Sequence, residues 1–159
     1  MLEMKLKVPP LFETLVESGR WSHPGDEILR REIPLLTDPV VFRSGLPKST
    51  VAGELAGFTA RDWETFKMYR DTQPARPLPW LNADRAVFIA VNKTPGDDVA
   101  IALDYRMDAT APRVVASHWR DDKSHEWFEV AESFEAFARS LGLVAARPAL
   151  QRTGLAPRR

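Results

Sequence analysis

The sequence predicts an α+β domain in which an antiparallel sheet of about four or more strands is flanked by helices. Three observations carry this. Four strand-like stretches follow one another in the second half, separated by short turn sequences. Short amphipathic helices divided by proline and glycine occupy the first half, and a capped helical stretch closes the ordered part. Strands joined by turns favour a meander, and helices gathered around such a sheet define the α+β class.

Taken in order, "PPLFETLVESG" opens with proline and carries a Leu11, Phe12, Leu15, Val16 stripe, with Gly19 as its stop. "DEILRREI" begins with acids and is closed by Pro34. "DPVVFRSGLPKST" is a turn and a short extended piece. "TARDWETFKMYRD" starts with a loose capping box, Thr59 to Asp62, and places Trp63, Phe66 and Tyr69 on one helix side, as core. "TQPARPLPWL" holds Pro74, Pro77 and Pro79. Its P-x-x-P spacing would suit an aromatic groove, but a stiff connector delivering Trp80 and Leu81 into the core is the simpler assignment.

"RAVFIAVN" is an apolar run that predicts a buried strand, and "KTPGDD" is the turn after it. "DDVAIALDYRM" then alternates strictly. Val99, Ile101, Leu103, Tyr105 and Met107 form a core face; Asp98, Ala100, Ala102, Asp104 and Arg106 point the other way. The alanines leave room for close packing, and the charges mark where cover stops. "DATAP" turns the chain into "RVVASHW", and "RDDKS" separates that strand from "HEWFEV". Ser133 caps the last helix, with Phe134, Phe137, Ala138 and Leu141 on one face and Gly142 as the stop. Residues 1–144 are expected to form one domain. Its helical half is 1–77, its sheet and closing helix 78–144, and 145–159 is a basic, disordered tail.

At 159 residues the chain is long enough to bury about two-thirds of the surface its unfolded form exposes. It has no cysteine, which removes disulfides, thiol catalysis and cysteine-bound zinc. Lys+Arg and Asp+Glu stand at 22 each, against the basic surface that nucleic-acid binding needs. No apolar run approaches membrane-spanning length and no signal-peptide core is visible, so a cytoplasmic location without membrane contact is expected.

No nucleophile elbow, Walker loop or dinucleotide fingerprint occurs. "SHWRDDKSHEWFE" gathers His118, Asp121, Asp122, His125, Glu126 and Glu129. A metal site needs three convergent ligands on a rigid frame, however, and these acids fall on a turn, so a polar hairpin is the better assignment. His23 precedes Pro24 in a turn and is ordinary surface. No catalytic residue, metal ligand or cofactor is expected.

From about Leu78 to Leu143 the chain resembles the SUKH superfamily, the Smi/Knr group of yeast cell-wall assembly regulators and bacterial immunity proteins. The residues that carry the likeness are "LPWL", "GDDVAIALDYR", "PRVVAS", the strand bearing Trp127, and "SFEAFARSLGL". The family's early Leu-Pro-x-x-Tyr segment and Asn-Gly turn are missing from residues 1–77. The resemblance implies a non-enzymatic α+β module that binds another protein: an immunity protein neutralising a polymorphic toxin, or an intracellular regulator or scaffold. A metal-assisted hydrolase at His118 to Glu129 is the remaining alternative.

Tight masking of a partner uses a few aromatic or arginine anchors and complementary charge. The candidate contacts are Asp104, Arg106, Trp119, Arg120, Asp121 and Asp122. The plainer assignment for Asp104 and Arg106 is a mutual ion pair, and for Trp119 it is core packing.

Overall fold

The structure, a computed structural model, describes residues 6–43, 70–71, 81–82, 85–94, 99–119 and 125–144, with backbone alone at 70, 71, 82 and 125. In chain order the elements are α1 (Pro10–Glu17), α2 (Asp26–Glu32), β1 (Val40–Phe42), β2 (Arg70–Asp71), β3 (Leu81–Asn82), β4 (Ala86–Asn92), β5 (Ala100–Asp104), β6 (Arg113–Trp119), β7 (His125–Ala131) and α3 (Phe134–Ser140). Five strands form one sheet in the order β1-β4-β5-β6-β7, antiparallel throughout. The expected meander is therefore β4 to β7, and the short extended piece near Val40 adds a fifth strand at its edge. This is an α+β fold.

Helix ends follow local chemistry. Pro10 sits in the first turn of α1, where a missing N–H costs nothing. Gly19, at φ 76°, lets the next two amides turn back: its own N–H reaches the Val16 carbonyl and that of Arg20 reaches Leu15. Gly142, at φ 75°, closes α3 in the same way through Arg139 and Ala138. The Ser133 hydroxyl accepts the Ala136 N–H at 3.1 Å, capping the start of α3 as its sequence predicts.

One sheet face packs on the helices. Phe12, Leu15, Ile33, Phe134 and Phe137 meet Val87, Ile89, Ile101, Leu103, Tyr105 and Val114 there. Trp21 is the hinge of the aromatic packing, edge-on to Phe12 at 5.1 Å and stacked on Phe42 at 4.4 Å. The opposite face is buried too. Ala86, Phe88, Val91, Ala100, Ala102, Val115 and Trp127 form a second apolar layer with Leu81. Phe88 and Trp127 stack across it at 5.9 Å, and the small alanines give the two rings room. The close packing expected over Ala100 and Ala102 is thus present.

Three expectations need correcting. Cover does not stop at Asp104, which is 1% exposed. Met107 is not core: β5 ends at Asp104, so the alternation continues into a turn, where Met107 is 80% exposed. Arg70 and Asp71, expected at the end of a helix, instead pair in parallel with Leu81 and Asn82. The rest of that helix, with Trp63, Phe66 and Tyr69, lies outside the described residues, as do Trp80 and the tail 145–159.

β4 contains an irregularity at Ile89. Phe88 opposes Ala102 whereas Ala90 opposes Ile101, leaving Ile89 as the extra residue. The bulge keeps Val87, Ile89 and Ala90 all in the helix-side core while Phe88 and Val91 go to the other layer. Two successive carbonyls, Phe88 and Ile89, accept from one residue: Arg43 gives Nη1 to Phe88 at 3.0 Å and its backbone N–H to Ile89 at 2.8 Å. Burial lowers the Arg43 pKa from its ordinary value. Among the described residues no helix is long and apolar enough to cross a membrane.

Candidate interaction surface

The three candidate contacts that the structure describes, Asp104, Arg106 and Trp119, do not form one patch. Asp104 is the register partner of Arg113 at one end of β6, whereas Trp119 pairs with His125 at the other end. Six residue steps separate the two ends, about 20 Å at strand rise. Arg120, Asp121 and Asp122 follow Trp119 and lie outside the described residues.

Asp104 is engaged inside the fold. Its Oδ2 accepts from Arg113 Nε at 2.8 Å, and its Oδ1 accepts the Arg106 backbone N–H at 3.0 Å. Arg113 reaches on to Glu129 through Nη1 at 3.1 Å, so three strands are tied by one guanidinium. Burial by itself would lower the Arg113 pKa, but hydrogen bonds and charge from Asp104 and Glu129 outweigh it and raise the value. Among the described residues the ion pair of Asp104 is therefore with Arg113 and not the expected one with Arg106. Register explains the difference, since Arg113 stands directly opposite Asp104 while Arg106 lies in the turn beyond β5. Burial lowers the pKa of the half-buried Arg106; the charge of Asp104 works against that and the charge of Arg113 works with it.

Trp119 is 36% exposed at the end of β6, on the strand phase of Val115 and Ser117. Its neighbour His118 points to the opposite face. There His118 Nε2 lies 2.8 Å from Glu126 Oε2, its register partner, and its ring stands edge-on to Phe128. The pair is a cross-strand contact of the kind that holds a hairpin together. Among the described residues no group of three or more histidine, aspartate or glutamate side chains converges to hold a metal ion.

A feature the sequence did not signal lies along β1. A groove of about 620 Å³ runs between Val40–Phe42 and the chain segment bearing Trp21, His23 and Asp26, with Lys93 at its end. His23 Nδ1 accepts the Gly25 N–H at 2.9 Å, which leaves Nε2 facing Asp26 at 3.6 Å. Trp21 Nε1–H donates to the Arg43 carbonyl at 2.8 Å and fixes one end of the groove. A smaller pocket of about 150 Å³ continues past Asp26 and Pro39 towards Leu36 and Asp38. A lone histidine before proline has no periodicity or motif to place it beside the strand at Val40–Phe42, which is why sequence alone read His23 as ordinary surface.

No family model, curated protein or solved structure matches the chain.

Proposed function

We propose that the chain is a non-enzymatic protein-binding module, acting in the cytoplasm as a bacterial immunity protein that neutralises a polymorphic toxin. The observation that supports this best is Trp119. A large indole stands over a third exposed at the end of a sheet whose two faces are already buried, and the sequence follows it at once with Arg120, Asp121 and Asp122. An aromatic anchor next to mixed charge is the composition that protein interfaces favour at their centre and rim. The ionisable groups Asp104, Arg113, Glu129, His118 and Glu126 are in cross-strand pairs that serve the sheet, which also favours a binding role over a reacting one.

The test is co-expression with the toxin domain encoded beside this chain's gene. The wild-type chain should restore growth and form a complex by size-exclusion chromatography. Trp119→Ala should weaken that complex by about 2 kcal/mol, the scale of an interface anchor, with an unchanged melting temperature. Equal protection by the Ala variant would remove Trp119 from the interface, and no rescue with any neighbouring toxin domain would remove the immunity function. Zinc, manganese or nickel should leave the melting temperature unmoved; a saturable rise abolished by His118→Ala would point to the hydrolase.

A further inference from the structure

Among the described residues, the outermost strand of the sheet carries bonding capacity that is left unused. Among the described strands β1 lies at the edge, and its ladder to β4 runs through alternate residues. Arg43 N–H donates to the Ile89 carbonyl at 2.8 Å, and Lys93 N–H donates to the Pro39 carbonyl at 2.9 Å. Val41 stands opposite Val91 in that same register. The Pro39 carbonyl, Val41 and the Arg43 N–H therefore face β4, while the Arg43 carbonyl is taken by Trp21 Nε1–H. Val40 and Phe42, the alternate residues, turn their peptide groups out of the sheet. Among the described residues no hydrogen bond reaches those outward groups. They open towards the groove of about 620 Å³ whose other wall carries Trp21, His23 and Asp26.

We infer that this groove receives an extended segment of a partner protein, which adds a strand to β1. The inference rests on the protein-binding function proposed above and gives that function a surface. Two N–H and two C=O groups spaced at strand repeat are matched in number and direction by another extended backbone. Edge strands that must stay unpaired are kept very short, charged, bulged or marked by proline; β1 is three residues long and follows Pro39, but its own residues are all apolar. The centre of β1 is Val41, an apolar side chain 43% exposed, with the charges of the lining gathered at the Pro39 end of the groove. The opposite edge strand, β7, contrasts with it, carrying Glu126 and Glu129 and a bulge in its ladder to β6.

The walls specify the segment. Residues opposite Val40 and Phe42 would lie on the side of Trp21 and His23, which favours apolar side chains there. The residue opposite Val41 would lie beside that valine on the other face, where a β-branched side chain fits. At the Pro39 end, Asp26 and Lys93 offer one charge of each sign, so the segment suits a basic and an acidic residue at that end. A second copy of this chain fits less well. Its own β1 would bring its own wall of Trp21 to Asp26 into the same gap, whereas a single extended segment brings none.

The test selects peptides from a random decapeptide display library with the full chain as bait, then measures amide hydrogen exchange with synthetic versions of the selected peptides. The expected result is enrichment of peptides with alternating apolar residues. Bound peptide should slow exchange at Val40 and Phe42 about tenfold or more, with Val41 already slow in the free protein. Val41→Lys, which places a guard on the edge, should weaken peptide binding about tenfold without lowering the melting temperature. A library that yields no binder, binders that leave Val40 and Phe42 fast, or protection that rises with protein concentration alone would each overturn the inference. A toxin domain that binds while those two amides stay fast would overturn it and leave the immunity function standing; slow amides with peptide but no toxin partner would do the reverse.

Discussion

The two faces of the sheet are equally buried but are built by different means. The helix-side face is filled by large side chains arriving from α1, α3 and the Trp21 segment, and its aromatic rings meet edge to face or stacked. The opposite face is mostly small residues, Ala86, Ala100, Ala102 and Val115, under the stacked pair of Phe88 and Trp127. Among the described residues, bulk is spread over many positions on the first and falls mainly to two rings on the second. A face of that second kind depends on each large residue more, and on each small residue staying small.

Four substitutions test the contrast. The largest effect is expected at Trp127→Ala, about 3–5 kcal/mol by denaturant unfolding, because the buried indole is the largest side chain in this layer and its removal leaves a cavity. A loss near 1 kcal/mol would show that the second layer is loosely packed. Arg113→Met comes next, at about 3 kcal/mol, since it leaves the buried Asp104 carboxylate without its cation. Asp104→Asn combined with Arg113→Met should recover part of that loss, and a double-mutant cycle without coupling would separate the two residues.

Ala102→Leu should cost about 1–3 kcal/mol by overpacking beside Phe88, its strand partner in the ladder being Phe88 itself. The smallest effect is expected on the helix-side face. Tyr105→Phe removes the hydroxyl that donates to the Lys7 carbonyl at 2.7 Å, a loss of about 1 kcal/mol. Tyr105 also supplies a pH signature. Burial raises its phenol pKa well above the ordinary 10.0, so the folded state holds a proton that the unfolded chain releases above pH 10. Its contribution is fully present below pH 10 and falls as pH climbs beyond it towards the folded-state value. Unfolding free energy of the wild type should therefore decline more steeply above pH 10 than that of Tyr105→Phe.

Much of the fold was legible because its signals are local. The meander shows in alternation and in turn residues, and Ser133, Gly19 and Gly142 mark helix ends through their own backbone and side-chain chemistry. What was not legible depends on partners far along the chain. Alternation in β5 identifies two faces but not whether both are covered, so Asp104 read as a charge at the limit of cover when it is buried opposite Arg113. Period also carries no stop signal, which placed Met107 in the core one turn too late. Two-residue strands such as β2 and β3 are too short to have a period. The candidate contacts split for a related reason: Arg106 and Trp119 are close in sequence, but a strand carries the chain from one end of the sheet to the other between them.

In β1 the residues that anchor the strand and the residues that leave it open are the same ones. Val40 is buried in the core and Phe42 stacks on Trp21, and both present their peptide groups outward. A proline or lysine that would seal this rim against unwanted self-association cannot enter at either position without tearing out a core side chain. Within β1 that leaves Val41, 43% exposed, as the position where a charged side chain can enter without disturbing the core.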